Sequence, residues 1–308
     1  MIRIMAQTAQ YINYLDDRFT VLFYKSLTYK PFSLLQKHYG EEKAIEICKV
    51  SNQQACTTIR VNARKASREE FLNLWDREDK VRVCSHAPYG ISFQNSPPLF
   101  SHPLFKKGFF EVQDASSQLV APFLDPKPGM RVVDACAGAG GKTLHLASLM
   151  QNKGQLIALD IYPSKLKQLK LRARRNGAHN SETRLIENNK TIKKLHGKAD
   201  QLLLDAPCSG LGVLKRNPDS KWKLTPEFIT KIKQTQQQLL QNYSKILKPG
   251  GTLVYATCSI LPSENQQQIK TFLASDAGKN FTFVKDKTIS VSKSGYDGFY
   301  MAKLQLKA

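Results

Sequence analysis

The chain is poor in acidic residues, in cysteine and in long apolar stretches. Its 308 residues include 25 Asp and Glu against 46 Lys and Arg, which gives a formal net charge of +21. Since no stretch approaches the roughly 20 apolar residues of a membrane span, we expect no transmembrane segment. The opening residues, MIRIMAQTAQYINYL, lack the apolar run and small-residue cleavage site of a secretory signal. We therefore expect a soluble cytoplasmic protein.

The few cysteines are spaced in a way that disfavours metal binding and disulfide bonds. They stand at positions 48, 56, 84, 136, 208 and 258, without a C-x-x-C pair or a histidine pair at metal-ligand spacing. A long chain with so few cysteines also differs from the small disulfide-rich domains of secreted proteins. We expect no metal site, and packing in the core is the default interpretation of each thiol.

The positive charge is concentrated in the second part of the chain. Residues 1–105 hold 14 basic and 10 acidic side chains, whereas residues 106–308 hold 32 and 15. This surplus favours a polyanionic partner, nucleic acid before an anionic membrane surface, and we expect no membrane contact. Residues 85–108 are rich in Pro, Ser and Gly and lack sustained periodicity, which indicates a boundary or a long connection. We therefore predict two domains, 1–105 and 106–308, in a monomer.

Apolar spacing predicts a small α-rich first domain that includes a few strands. Residues 11–40 and 41–50 show helical spacing of apolar side chains. Residues 57–63, TTIRVNA, indicate a strand, and residues 67–78 indicate a helix capped by Ser67.

Short apolar runs alternate with helical segments after residue 105. Five buried strands are predicted, at residues 131–135, 155–160, 183–187, 201–206 and 252–257. Helices are predicted at 142–150, 163–177 and 226–251, with Gly177 and Gly250 ending the last two. This alternation predicts an α/β fold, a parallel sheet with helices on both faces. Ligands of such sheets bind at the carboxyl ends of the strands.

A glycine-rich loop, DACAGAGGKT (134–143), follows the first of these strands. A P-loop is excluded because Cys136 stands where its first glycine is needed, and a dinucleotide motif fails at Thr143. Asp160 ends the second strand, where a carboxylate accepts hydrogen bonds from ribose hydroxyls. Together these features suggest an adenosine-containing cofactor such as S-adenosylmethionine.

Two cysteines directly follow predicted strands. Cys208 lies in DAPCSGLG (205–212), and Cys258 lies in TCS (257–259). Both are expected at the carboxyl edge of the sheet, near Lys142, where a thiolate is a competent nucleophile. Position alone leaves buried packing as an equal alternative.

These segments resemble the motifs of the RsmB/NOL1/NOP2/Sun family of RNA cytosine-5 methyltransferases. The resemblance rests on the following segments: DACAGAGGKT (134–143), LLLDAPCSGLGVLKRNPDSKW (202–222), LVYATCSILPSEN (253–265), TTIRVNARKASREEF (57–71), QDASSQLVAPFL (113–124) and DGFYMAKL (297–304). It implies a Rossmann-like class I methyltransferase sheet, preceded by an N-terminal RNA-binding extension. It also implies RNA as partner, with rRNA favoured and tRNA as the alternative.

The resemblance implies a role for each catalytic residue. Cys258 is the implied nucleophile that adds to C6 of cytosine and makes C5 enamine-like, and Cys208 assists release of the methylated base. Asp205 is implied to hold the N3 and N4 edge of cytosine, and Lys142 to lie near the base.

The resemblance also implies the positions that bind S-adenosylmethionine. The implied binding positions in the loop are Cys136, Ala137, Gly138, Ala139, Gly140, Gly141 and Lys142. Asp160 is implied at the ribose, Asp205 near the methionine part and Asn188 at the adenine. The family usually has CAAPGGKT in the loop and an Asp after the third strand, where this chain has Gly138-Ala139 and ENNK (187–190).

Several alternatives remain at the sequence level. Glu187 or Asn189 is an alternative to Asn188 at the adenine position. A non-catalytic RNA-binding or assembly factor with the same fold is the second functional hypothesis, and an ATPase is a third, disfavoured one. RNA contacts are placed on the basic residues of 165–175, where a solvated helix face is an equal interpretation, and on 214–223 with Trp222.

Overall fold

A computed structural model describes residues 29–76 and 79–308. The helical prediction for residues 11–28 lies outside the described part of the chain. Residues 29–112 form a small α+β unit, and the later residues form a larger α/β unit.

The small unit is a four-stranded antiparallel sheet with helices. Its helices are α1 (Tyr29–Tyr39), α2 (Glu41–Ser51), α3 (Arg68–Leu74) and α4 (Pro103–Lys106). Its strands are β1 (Thr57–Val61), β2 (Val81–Val83), β3 (Gly90–Phe93) and β4 (Phe110–Val112), in the order β2-β3-β1-β4. The predicted strand at 57–63 and the Ser67-capped helix are confirmed. Ser67 Oγ accepts the Glu70 N–H at 3.1 Å, and the Glu70 carboxylate accepts the Ser67 N–H.

The connection predicted at residues 85–108 contains regular structure. β3 runs through it and α4 ends it, while β4 adds a strand to the small sheet beyond residue 105. All four residues of β3 are buried, so the strand shows no polar alternation. A run this short carries no periodic signal, which is why the strand was missed.

The larger unit contains a seven-stranded mixed sheet. Its strands are β5 (Arg131–Asp134), β6 (Gln155–Asp160), β7 (Ser181–Leu185), β8 (Ala199–Asp205), β9 (Leu247–Thr257), β10 (Phe281–Ile289) and β11 (Phe299–Leu306). The order is β10-β11-β9-β8-β5-β6-β7. The five strands β9, β8, β5, β6 and β7 are parallel to one another. β11 pairs antiparallel with β9 on one side and with β10 on the other. The five predicted strands are confirmed, whereas the antiparallel pair at the edge was not predicted.

Helices cover both faces of this sheet. They are α5 (Ala115–Gln118), α6 (Val120–Leu124), α7 (Gly141–Leu149), α8 (Pro163–Asn176), α9 (Asn189–Lys193), α10 (Ser220–Lys223), α11 (Pro226–Tyr243), α12 (Gln266–Leu273) and α13 (Val291–Ser294). Val133 and Ile157 pack with α9, α11 and α12, while their neighbours Val132 and Leu156 pack with α6, α7 and α8. The prediction of helices on both faces is therefore confirmed.

Two predicted helix ends have different outcomes. α8 ends as predicted, since Gly177 adopts a left-handed φ of 72°. The prediction that the helix beginning at residue 226 extends to Gly250 is wrong, because α11 ends at Tyr243. Pro249 disfavours helical geometry at the residue before it, and Leu247 pairs with Ala199 of β8 instead.

No helix in residues 29–76 or 79–308 is both long and apolar enough to cross a membrane.

A buried carboxylate of β4 joins the small sheet to α8. The Glu111 side chain is 3% exposed. Its carboxylate forms ion pairs with Arg172, at 2.7 Å, and with Arg175, and it accepts a hydrogen bond from the Asn176 side-chain amide. Two of the six basic residues predicted to face RNA on α8 therefore hold the small sheet to the larger unit. The other four, Lys165, Lys167, Lys170 and Arg174, are exposed.

Glu111→Ala is expected to lower the free energy of unfolding by about 2 to 4 kcal/mol, because it leaves Arg172 and Arg175 without their buried carboxylate where the small sheet meets α8. Urea denaturation measures the loss. Glu182→Ala is the matched control, since its exposed pair with Arg184 is worth about 1 kcal/mol or less. Equal losses of unfolding free energy in the two variants would contradict a structural role for Glu111.

Candidate active site

The carboxyl ends of the parallel strands bring the predicted site residues to one edge of the sheet. The glycine loop follows β5, and Asp160 ends β6. Asp205 ends β8, with Cys208 three residues later, and Cys258 directly follows β9. Adjacent parallel strands thus place the loop, the acids and the thiols side by side.

The glycine loop turns tightly and leaves open space on one side. Gly138 and Gly140 have φ angles of 53° and 89°, a left-handed region that favours glycine. A Cβ on Gly140 would lie 2.6 Å from Leu169 Cγ, whereas a Cβ on Gly138 would meet nothing within 4 Å. The loop therefore packs closely on α8 at Gly140 and is open at Gly138.

Asp160 holds this loop through both of its carboxylate oxygens. Oδ2 accepts the Gly138 N–H at 2.7 Å, and Oδ1 accepts the Tyr162 N–H at 2.9 Å. The side chain is buried, at 8% exposure. The structure thus gives Asp160 a bracing role that the sequence did not predict, beside the ribose contact that stays a prediction.

Two arginines from outside the loop bind its backbone. Arg60 of β1 donates to the Gly141 carbonyl at 2.7 Å, and Arg172 of α8 donates to the Ala139 carbonyl at 2.7 Å. Burial lowers the pKa of Arg60 to about 9. Sequence reasoning missed both contacts, because Arg60 lies 81 residues from its acceptor and no local spacing links them.

The first residues of the glycine loop pack on the hydrophobic core of the larger unit. The Ala137 N–H donates to the Leu159 carbonyl at 2.9 Å. Cys136 packs against the core face that includes Tyr243, and burial raises the pKa of its thiol well above the ordinary value. A protonated, core-packed thiol is unsuited to nucleophilic attack, as expected for a residue that only shapes the loop.

A buried acid lies at the start of the loop. Asp134 Oδ2 accepts a hydrogen bond from the Thr143 hydroxyl at 2.7 Å, while Oδ1 has no partner among the described residues. Burial raises the pKa of Asp134 to about 7. An unsatisfied carboxylate oxygen at a ligand crevice is a hydrogen-bond acceptor available to a bound molecule.

The two predicted cysteines meet. Cys208 Sγ and Cys258 Sγ are 3.3 Å apart, and both side chains are partly exposed. All six cysteines are free thiols. The hydrogen bond with Cys258, followed by burial, raises the pKa of Cys208 well above the ordinary value. Two thiols at contact distance can both reach a ligand bound at this edge of the sheet.

Lys142 and Asp205 form an ion pair at the same edge. Lys142 Nζ lies 2.6 Å from Asp205 Oδ2 and 5.0 Å from the ring centroid of Phe299. Burial alone would lower the pKa of Lys142, but the Asp205 carboxylate outweighs burial and raises it. Lys142 is therefore a fixed cation in the crevice. Phe299, at the start of β11, was not predicted.

A buried carboxylate beneath the thiols was also missed. Glu264 is fully buried, and its Oε2 accepts the Ser209 N–H at 2.8 Å. Its Oε1 accepts the Ser259 hydroxyl at 2.6 Å. Glu264 lies in the SEN segment that ends the motif at 253–265, which was the only signal for it in the sequence.

Asn188 is not drawn into this cluster. It is exposed, and its Oδ1 accepts the Lys190 N–H at 2.9 Å as the cap of α9. The adenine contact assigned to it stays a prediction.

Part of the basic loop predicted to contact RNA, residues 214–223, is bound to acidic residues of the protein itself. Arg216 binds Asp114 and Asp297, each at 2.8 Å. Trp222 is 52% exposed and lies next to Lys221, whose Nζ is 5.6 Å from its ring centroid. Trp222 thus remains able to stack on a base, whereas Arg216 is engaged within the protein.

Metal ligands do not gather in the described ranges, where no three His, Cys, Asp or Glu side chains form a group suited to an ion.

Comparison with known protein families gives two adjacent matches. A model described as 16S rRNA methyltransferase RsmB/F matches residues 121–305. A second model, described as the ferredoxin-like domain of RsmF/B-like methyltransferases, matches residues 32–99. Both units of the chain therefore have counterparts in related proteins.

Individual relatives are similar along most of the chain. A probable ribosomal RNA small subunit methyltransferase B of Synechocystis is 36% identical over 245 residues, 78% of this chain and 54% of that protein. Ribosomal RNA small subunit methyltransferase B of Escherichia coli is 36% identical over 287 residues, 88% of this chain and 64% of its own length. This chain thus spans between half and two thirds of these relatives.

A solved structure is similar to most of the chain. A methyltransferase homolog protein from Pyrococcus horikoshii superimposes with a TM-score of 0.78 at 29% identity. The match covers 90% of this chain and 94% of that one, so both the small sheet and the larger sheet have counterparts there.

Proposed function

This chain belongs to the RsmB/F family of 16S rRNA methyltransferases, and on that premise we propose that it transfers a methyl group from S-adenosylmethionine to C5 of a cytosine in RNA. The observation that carries the proposal is the 3.3 Å contact between Cys208 and Cys258 at the ligand edge of the sheet. Cytosine C5 is too weak a nucleophile to react unaided, and a thiol that adds to the neighbouring C6 removes that difficulty.

Cys258 is the proposed nucleophile. Its thiolate sulfur would form a bond to C6 of cytosine as the electron pair of the C5–C6 double bond moves to C5, and that pair would take the methyl group as the methyl–sulfur bond of S-adenosylmethionine breaks. Loss of the C5 proton to water would then restore the double bond and expel the Cys258 sulfur as a thiolate. Cys208, 3.3 Å away, is the proposed assistant in this release.

Asp205 and Lys142 support the base during these steps. Asp205 is proposed to hold the N3 and N4 edge of cytosine and to favour the protonated ring that accepts the thiolate. Lys142 is a fixed cation beside Asp205 and is proposed to lie near the base. The pair is partly exposed, so a base placed in the crevice reaches it.

The residues around the glycine loop fit the proposed cofactor. Space lies next to Gly138, the Asp160 carboxylate accepts the Gly138 N–H, and Asp134 has an oxygen without a partner among the described residues. An open glycine, a ribose acceptor and an acceptor for an ammonium group match the ends of S-adenosylmethionine. When bound, this molecule supplies an electrophilic methyl group on a sulfonium sulfur.

Ribosomal RNA is the proposed substrate, because the similar curated proteins are named as ribosomal RNA small subunit methyltransferases. The alternative is tRNA. The surplus of 17 positive charges after residue 105 fits the phosphate backbone of either RNA.

Nucleoside mass spectrometry tests this proposal. The purified chain is incubated with labelled S-adenosylmethionine and, separately, with 16S rRNA, 30S subunits and tRNA lacking 5-methylcytosine. We expect labelled 5-methylcytosine in an rRNA sample, and bisulfite sequencing then locates the cytosine. Label only in tRNA would overturn the substrate assignment. Binding of both ligands without label would favour a non-catalytic RNA-binding factor.

A further inference from the structure

One buried carboxylate connects the two cysteine loops and has no part in the chemistry proposed above. Glu264 has no exposed surface, and its three hydrogen bonds come from three different segments of the chain. Ser209 donates its N–H at 2.8 Å, Ser259 donates its hydroxyl at 2.6 Å, and Gln236 of α11 donates its amide at 3.0 Å. A buried charge is tolerated only when satisfied in this way.

Each loop reaches this carboxylate through the residue that follows its thiol. Ser209 directly follows Cys208, and Ser259 directly follows Cys258. The two serine hydroxyls are 3.0 Å apart, next to the thiols that are 3.3 Å apart. The residue after each thiol is therefore hydrogen-bonded to the same group, the Glu264 carboxylate, which we call the anchor.

We propose that Glu264 is a positioning residue that fixes Cys208 against Cys258, so that the thiol of attack and the thiol of release reach the same cytosine. The inference rests on the proposed function for the meaning of the two thiols. Its structural part, that one carboxylate sets the spacing of the two thiols, stands on the contacts alone.

The charge of Glu264 also distinguishes the two thiols. Among the groups that face Cys208 are Cys258, Glu264 and Tyr255, while Lys142 faces the Cys258 side from α7. The hydrogen bond with Cys258 and burial are the main causes of the raised pKa of Cys208, and the negative charge of Glu264 adds to them. These causes favour the protonated form of Cys208, which can donate its proton to the Cys258 sulfur as that sulfur leaves C6.

The test uses Glu264→Gln in the whole chain, because glutamine keeps the size of the side chain and one acceptor oxygen but removes the charge and the second acceptor. We expect kcat to fall about tenfold to hundredfold, the scale of a lost charged hydrogen bond, with KM for S-adenosylmethionine unchanged. The matched control is Gln237→Ala, which removes a bond from α11 to Gln268 but leaves the anchor intact. Its kcat should equal that of the unchanged protein.

A second measurement needs neither RNA nor cofactor. Iodoacetamide labelling of Cys208 is followed against pH in the Cys258→Ala background, with Glu264 either kept or replaced by glutamine. We expect labelling to begin at lower pH when the Glu264→Gln change is present, because loss of the carboxylate favours the Cys208 thiolate. Should the unchanged protein fail to methylate RNA, this shift still tests the anchor separately from the proposed function.

Ser259→Ala is the second variant, for the case in which Glu264→Gln does not fold. It removes one tether and keeps the buried charge satisfied by Ser209 and Gln236. We expect a smaller fall in kcat at unchanged KM. Wild-type kcat together with an unshifted labelling profile, in folded protein, would overturn the proposal.

Discussion

Cys258→Ala is expected to reduce methyl transfer by about a thousandfold or more, because the proposed reaction has no other attacking atom and loss of a covalent nucleophile acts on this scale. The free energy of unfolding should change by about 1 kcal/mol or less, since the side chain is small and partly exposed. Transfer of tritiated methyl groups to RNA measures the first effect, and urea denaturation measures the second.

Cys56→Ala serves as the control for this experiment, because Cys56 is an exposed free thiol to which the proposed reaction gives no role. It should retain full activity. Activity of Cys258→Ala comparable to that of the control would refute the covalent mechanism.

Cys208→Ala is expected to trap a covalent complex between the protein and RNA. Attack by Cys258 remains intact in this variant, whereas the thiol 3.3 Å away that assists expulsion is missing. The adduct should appear as a slowly migrating band on a denaturing gel with labelled RNA, in excess over the unchanged protein.

The double variant Cys208→Ala with Cys258→Ala is the control for the adduct, and it should give no shifted band. A band that survives in the double variant would mean that another side chain attacks the RNA. Absence of the band in Cys208→Ala, with active protein, would contradict the release role.

The sequence predicted the parallel part of the large sheet because its strands are continuous apolar runs between helices of clear period. It also predicted that Cys208, Cys258, Asp205 and Lys142 lie together, because the carboxyl ends of parallel strands share one edge. The family assignment is confirmed by the match at residues 121–305. The roles of the individual side chains stay predictions.

The missed features depend on residues distant in the chain or on elements too short to be periodic. The bond from Arg60 to Gly141 and the binding of Arg172 and Arg175 by Glu111 arise only when the two units are folded together. β3 was missed because its four residues are all buried and show no alternation of apolar and polar side chains. Glu264 was hidden because nothing in a sequence shows that a carboxylate is buried and shared.

The bond between Arg60 and Gly141 has a consequence for how the chain is divided. A fragment that begins after β4 would contain the complete glycine loop and both thiols, yet Gly141 would lose its donor from β1. The Arg172 guanidinium, which holds Ala139, would lose its carboxylate on Glu111 at the same time. The smallest competent unit is therefore larger than the set of residues that perform the chemistry.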